Sequence, residues 1–294
     1  MRVRIRPLIA STFHSDGGTM FGLVPKPIWH KRLPADERNR IPQYARVLLI
    51  ELPDGRRGLL DTGCGPASQF GDKERELNGL GAGWPLSDAL AAAGLVPADL
   101  DWIAFTHLHW DHAGSLVAPA TDTVFPRATF HVHAAEWEDA RSGNELLYKS
   151  YPPPIQQALA EVPAHRLRLV TDAAPTVAPG ISLVRSGGHT RGHCTLVVEE
   201  PTVWIQGAWR DFPLAVFAGD VCPTQHHLRM VFQTSYDTFP LETRAWKKAW
   251  LPRLAAAGGL LLFDHDPQSF GAVIRADPRE EFAVAERFDL TVAG

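Results

Sequence analysis

The sequence predicts an α+β chain folded as a single domain over residues 1–294. Three features carry that expectation. Short apolar runs bounded by turn residues recur in both halves and read as strands, while helix signals are confined to a few segments between them. At 45% hydrophobic residues the chain can bury a large core. Histidine and aspartate gather at the ends of apolar runs in both halves, at residues 107–112 and again at His265, so a shared centre would draw on most of the chain.

Residues 1–8 alternate charged and apolar side chains, without the continuous apolar core or small-residue cleavage site of a secretory signal, and are expected to form a first strand. Val47-Leu48-Leu49-Ile50 and Leu59-Leu60 flank Pro53-Asp54-Gly55, a hairpin signal whose Asp-Gly step tolerates positive φ, and the hairpin ends in Asp61-Thr62-Gly63. Ser87 is a candidate N-cap for an alanine-rich helix closed by Gly94. Trp102-Ile103-Ala104-Phe105 then reads as a buried strand carried on to residue 107. Tyr151-Pro152-Pro153-Pro154 reads as the connection between halves. Further strands are expected over residues 181–185, 195–199, 203–206, 214–218 and 260–263. A helix over 240–251 places Leu241, Ala245, Trp246, Ala249 and Trp250 at helical spacing behind an Asp237/Thr238 cap, with Pro252 expected to end or kink it.

Bulk properties exclude several classes of partner. A net charge of -4, from 29 basic and 33 acidic residues without a basic cluster, carries no footprint for nucleic acid. No apolar run is long enough for a bilayer, so no membrane association is expected. Cys64, Cys194 and Cys222 are too widely spaced for a disulfide framework and are expected to be buried structural thiols, which fits a cytoplasmic setting. A homodimer is compatible with these properties.

His107, His109, Asp111 and His112 fall within six residues directly after the apolar run at 102–105. If residues 102–107 are a strand, His107 and His109 project from one side of its end, and the following turn swings Asp111 and His112 inward. A lone histidine usually binds nothing, but four potential ligands packed this tightly point to metal, for which imidazole is the commonest ligand. Gly187-Gly188-His189-Thr190-Arg191-Gly192-His193 follows a predicted strand, and its glycines permit tight turns that aim a side chain into a cleft. Asp220 ends another apolar run, where a carboxylate taken alone is more often a turn residue or cap than a ligand, and His265, between two aspartates after a buried strand, is ambiguous alone.

Together these motifs resemble the metallo-β-lactamase superfamily, whose ordered signature is HxHxDH, a GHT-type histidine, an Asp after a short strand and a late His. The resemblance implies a four-layer αββα sandwich with the metals at one edge. It implies His107, His109 and His189 on one metal ion, Asp111, His112 and His265 on the other, and Asp220 bridging. The ions so implied are two divalent metals, Zn2+ foremost, with Mn2+, Fe2+ or Co2+ as alternatives. Asp61 matches a recurrent family element and is expected to orient a ligand histidine through its other ring nitrogen. His193 is expected to support the site rather than bind metal, and His226 and His227 read as loop residues or pocket wall.

Two divalent ions about 3.5 to 4 Å apart can hold a bridging hydroxide at neutral pH and polarise a substrate oxygen, which is hydrolytic chemistry with solvent as nucleophile. Asp111 could orient that nucleophile and pass a proton to the leaving oxygen. Class B β-lactamases carry Cys or Ser where this chain has Asp220, a basic cluster for glutathione is missing, and the charge does not suit a nuclease. The resemblance therefore favours hydrolysis of a small ester, foremost a lactone, with phosphotriester hydrolysis as the alternative and a mononuclear-iron dioxygenase as the reading from another class. Lactonases of this fold commonly carry Tyr where Pro223 stands, and Tyr236 is the candidate replacement. Residues 16–26 resemble a Gly-rich loop of lactonase-like members. They are expected either to wall the substrate site through Met20 and Phe21 or to bury those side chains in the core.

Overall fold

The computed structural model describes residues 2–117, 125–143 and 150–289. The first half supplies strands β1 (Arg4–Asp16), β2 (Arg40–Glu51), β3 (Arg57–Leu60), β4 (Trp102–Ala104), β5 (Thr129–His133) and β6 (Leu167–Val170). The second supplies β7 (Thr176–Ala178), β8 (Ile181–Arg185), β9 (Cys194–Glu199), β10 (Thr202–Ile205), β11 (Ala208–Asp211), β12 (Leu214–Phe217), β13 (Leu260–Leu262), β14 (Gly271–Asp277) and β15 (Glu281–Phe288). The helices are α1 (Gly17–Phe21), α2 (Lys26–Trp29), α3 (Asp72–Asn78), α4 (Pro85–Ala92), α5 (Trp110–Ala113), α6 (Ala134–Ala140), α7 (Pro153–Glu161) and α8 (Pro240–Ala257).

Strand order β11-β10-β1-β2-β3-β4-β5-β6 forms one sheet, and β15-β14-β13-β12-β9-β8-β7 forms the other. Alternation along the strands assigns each side chain to a layer. Leu48, Ile50 and Leu60 pack with Leu196, Phe217 and Leu262 between the sheets. Their neighbours Val47, Leu49 and Leu59 face outward onto Leu90 of α4, Trp137 of α6 and Leu159 of α7. On the far side Val216, Leu261 and Ile274 meet Trp246, Leu251 and Leu254 of α8. The result is the expected αββα sandwich, because each sheet can cover its second apolar face only with helices.

Several boundaries differ from expectation for local reasons. The ligand-bearing strand stops at Ala104 because Asp61 claims the Thr106 backbone N–H at 2.8 Å, pulling the chain off the ladder. Residues 151–154 are not a bare connection: Tyr151 is buried and Pro153 opens α7. The helix expected behind Ser87 begins earlier, at Pro85, whose fixed φ suits a first turn. Helix α8 lacks a side-chain cap and runs through Pro252 to Ala257, since Pro252 lies on the exposed side where water can take the carbonyl left without a donor.

Residues 16–26 split between the two roles expected of them. Asp16 caps α1 by accepting the Thr19 N–H at 2.9 Å. Phe21 is core, stacked between Trp29 and His227 at centroid distances of 5.4 and 5.2 Å, whereas Met20 reaches the wall of the cavity described below. His227 is thus not pocket wall. Its Nε2–H donates to the Met20 carbonyl at 2.8 Å and its Nδ1 accepts the Thr224 hydroxyl at 2.8 Å, so the ring holds α1 as a neutral imidazole.

Burial lowers the His227 pKa to about 3. In the unfolded chain the ring titrates near 6.5, so its contribution to stability is complete above pH 6.5 and is lost as pH falls toward 3. Denaturation midpoints measured across that window should fall less steeply for His227→Phe, by about one proton's worth of slope, than for the natural chain. Parallel curves would show that the ring is not held neutral.

Candidate metal centre

Four strands of the sandwich end at one edge, and each delivers a polar side chain there. His107 follows β4, His189 follows β8, Asp220 follows β12 and His265 follows β13. His112 and Asp111 come from α5, whose placement is fixed from β3: Asp61 donates its N–H to the Ala104 carbonyl at 2.8 Å, and Thr62 donates its N–H to the His112 carbonyl at 2.6 Å. Asp61 itself adopts φ 58, a left-handed conformation seldom occupied by non-glycine residues. The next-but-one turn also depends on backbone shape. Gly219 has φ 56, and a Cβ there would stand 2.6 Å from His193 Nε2, the atom that accepts the Asp220 N–H.

The structure brings all seven expected residues together around Asp220, whose two oxygens face opposite ways. Oδ2 lies 2.9 Å from His189 Nε2 and 3.8 Å from His107 Nε2. Oδ1 lies 3.0 Å from His265 Nε2 and 3.4 Å from His112 Nε2. His109 Nδ1 completes the first group, 3.1 Å from His189 Nε2. Asp111 stands on the cavity side of the second, 3.6 Å from His265 Nε2 and 3.9 Å from His112 Nε2. Ligands bound at about 2.0 to 2.2 Å in a tetrahedron are separated by roughly 3.3 Å, so both groups have the spacing of a metal shell.

The donor atoms also have the chemistry of such a shell. His107 Nε2, His112 Nε2 and Asp220 Oδ1 are buried without a hydrogen-bond partner. Groups buried in that state are costly unless a cation meets them. The opposite nitrogens are occupied and set the ring orientations: His112 Nδ1 meets Asp61 Oδ2 at 3.0 Å, His189 Nδ1 meets Asp237 Oδ1 at 3.1 Å, and His265 Nδ1 donates to the Tyr44 carbonyl at 2.9 Å. The expectation for Asp61 holds. His193 supports the site as expected, with Ser186 Oγ at 2.6 Å on its other nitrogen.

Charge within the cluster is strongly coupled. Burial, then neighbouring imidazoles, hold His107 and His109 well below the usual histidine range. Burial opposes charge on His112 as well, but Asp111 and Asp220 overcome it and lift its pKa well above the usual range. Against burial, Asp220 and Asp237 raise His189 to about 10, Asp264 and Asp220 raise His265 to about 9, and Asp220, despite burial, is drawn far down by His189, His265 and His112. Protons on these rings are what an incoming cation would displace. The three thiols are all raised by burial, Cys222 to about 12, and match inert packing.

Three acidic residues outside the expected set take part. Asp237, read as a helix cap, instead orients His189 and accepts the Thr243 hydroxyl at 2.8 Å. Asp264 is buried beside His265, and a second candidate group is formed by His112, Asp220, Asp264 and His265. Glu136, fully buried on α6, accepts the Leu108 N–H at 2.9 Å, the Tyr151 hydroxyl at 2.8 Å and the Thr190 hydroxyl at 2.5 Å. One carboxylate thereby ties the loop carrying His107 and His109 to the loop carrying His189. A Cβ at Gly192 would come within 2.1 Å of the Glu136 backbone nitrogen, which explains the third glycine of that loop. Only Asp237 and Asp264 had a local signal, each standing beside a candidate cap or ligand; Glu136 had none.

The clustered donor atoms open onto a cavity of about 410 Å3 lined by Phe13, Met20, Trp110, Asp111 and Tyr236, among others. With this geometry in view, comparison with known proteins is informative. Residues 41–202 match the Metallo-beta-lactamase superfamily as a family model. The chain belongs to that superfamily. An N-acyl homoserine lactonase from a Bacillus species is 31% identical over 110 residues, and the match spans 37% of each chain. The likeness therefore reaches little more than a third of that relative's length. A probable metal-dependent hydrolase from Staphylococcus aureus aligns over 100% of this chain and 99% of its own, with a TM-score of 0.85 and 27% identity. A dizinc quorum-quenching lactonase in complex with a product shares the metallo-β-lactamase fold, with a TM-score of 0.72 at 19% identity over 95% of this chain and 92% of its own.

Because Glu136 joins two metal-facing loops, Glu136→Ala should weaken metal retention by about 10- to 100-fold in chelator competition. Glu136→Gln should do less, since its amide oxygen can still accept from Leu108 and Tyr151. Unchanged retention in the alanine variant would assign Glu136 to packing alone.

Proposed function

We propose that this protein is a metal-dependent hydrolase that opens the ring ester of a small lactone at a pair of divalent cations, Zn2+ foremost. The observation carrying this reading is that Asp220 presents one oxygen to each of two histidine groups at the floor of a cavity. His107, His109 and His189 would hold one cation, Asp111, His112 and His265 the other, and Asp220 both. When bound, such a pair supplies a water of lowered pKa and an electrophile for the ester oxygen.

The remaining tasks fall to side chains. Asp111 lines the cavity and stands on the open side of the second group, where a carboxylate can hold the attacking water's proton and deliver it to the leaving alkoxide. In a lactone that alkoxide stays on the same molecule, so one proton transfer completes ring opening. Tyr236, about half exposed, lines the same cavity with its hydroxyl 3.1 Å from Thr19 Oγ1, where it can turn to donate to the ester oxygen. It stands in for the tyrosine absent at Pro223. Phe13, Met20 and Trp110 offer an apolar wall to the acyl part.

The deciding experiment is a panel assay of the metal-loaded protein on lactones, thioesters, phosphotriesters and phosphodiesters. Fastest turnover should be on lactones; a phosphotriester in first place would replace the lactone reading. Elemental analysis should find two ions per chain. Asp220→Ala should lower metal content and activity together, because two cations would then face each other with less compensating charge. Asp111→Asn should retain metal but lose about 10^2- to 10^4-fold in turnover, most for esters with poor leaving groups. Equal loss for good and poor leaving groups would count against a proton-transfer role.

A further inference from the structure

Asp264 lies between β13 and His265 and is fully buried. Its Oδ1 accepts the His265 backbone N–H at 2.9 Å, an ordinary structural contact. Its Oδ2 has no hydrogen-bond partner and lies 3.6 Å from His265 Nε2. His112 Nε2 and Asp220 Oδ1 are equally without partners, and His112, Asp220, Asp264 and His265 each offer one donor atom within 4.8 Å of the others. The buried Arg46 is close enough to feel this carboxylate's charge but makes no hydrogen bond to its free oxygen: its backbone N–H and its guanidinium both point at the Asp264 main-chain carbonyl, at 3.2 and 3.5 Å. Two buried carboxylates with free oxygens beside the same histidines need a cation or shared protons between them.

We propose that Asp264 binds the second cation directly, from the buried side, while Asp111 approaches the same cation from the cavity. The inference rests on the two-cation reading above and adds a ligand to it. With Asp264 included, three carboxylates face two divalent cations and leave one residual positive charge instead of two. Asp111 can then give up its hold on the cation and carry a proton while two carboxylates, Asp220 and Asp264, stay on that cation. The added oxygen also makes the two positions unlike. His107, His109 and His189 with one oxygen of Asp220 form a nitrogen-rich shell suited to zinc, whereas the second shell is oxygen-richer and suits a harder ion such as Mn2+ or Fe2+.

The test compares the natural protein, Asp264→Asn and Asp111→Asn, each loaded with Zn2+ or Mn2+ and dialysed against graded chelator, with ions per chain read by elemental analysis. Asp264→Asn keeps the Oδ1 acceptor for His265. It should lose its second ion at a chelator concentration at least tenfold lower than the natural protein, with the deficit larger for Mn2+, while the metal-free thermal midpoint stays level or rises. Asp111→Asn, which neutralises a ligand the cation can release to the cavity, should need more chelator to lose that ion than Asp264→Asn does. Two ions held by Asp264→Asn with natural chelator resistance would overturn the inference, as would a fall in metal-free midpoint that accounts for the loss. Should the variant fail to fold, a crystal structure of the metal-loaded natural protein decides: Asp264 Oδ2 at about 2.0 to 2.2 Å from an ion supports it, and beyond about 3 Å refutes it. Two ions without Asp264 contact defeat this inference alone, whereas fewer than two ions per chain defeat the underlying reading as well.

Discussion

A single carboxylate sets the terms for this molecule. Asp220 is buried with imidazole nitrogens on both sides, 2.9 Å away at His189 and 3.0 Å at His265. An anion so enclosed survives only if charge meets it, whether protons on the rings or cations between them. The sandwich brings those rings to it from strands in both sheets. Neither sheet alone could assemble the cluster, because β4 belongs to one sheet and β8, β12 and β13 to the other.

Holding that cluster in register is the work of carboxylates one layer out. Asp61 fixes His112 and the end of β4, Asp237 fixes His189, and Glu136 fastens the two loops that carry the first histidine group. Each accepts hydrogen bonds from backbone or hydroxyl donors as well as from, or beside, a ring nitrogen. Such contacts limit how far a ligand can drift, and they explain why the positive φ at Asp61 is tolerated: its carboxylate satisfies the Thr106 N–H and the Thr106 hydroxyl, both at 2.8 Å. The cavity wall is held in the same fashion, with the neutral ring of His227 propping α1 so that Met20 lines the same cavity as Asp111.

Much of this was legible in the order of residues. The runs expected at 181–185 and 214–218 match β8 and, to within one residue, β12, and the Pro53-Asp54-Gly55 turn takes positive φ at Gly55 as hairpin chemistry requires. The cluster from His107 to His112 announced itself because its spacing is local. Expectations failed where a distant side chain intervened: β4 ends early because of Asp61, and Asp237 gives one oxygen to His189 and the other to the Thr243 hydroxyl of α8 in place of capping the helix backbone. Tyr151 looked like part of a proline-rich connection, yet its hydroxyl is committed to Glu136 in the core.

By itself the sequence determined which residue types were available for chemistry and, through period-two and helical patterning, which faces would be buried. Those are properties of spacing along one chain, and neighbouring residues suffice to express them. Tertiary structure alone decided that the two oxygens of Asp220 face different histidine groups, that Glu136 joins two loops, that Met20 walls the cavity while Phe21 is core, and that Asp264 turns a free oxygen toward His265. Each of these depends on where a side chain points after two sheets have packed. That direction is set by contacts between residues tens or hundreds of positions apart, about which local pattern carries no information.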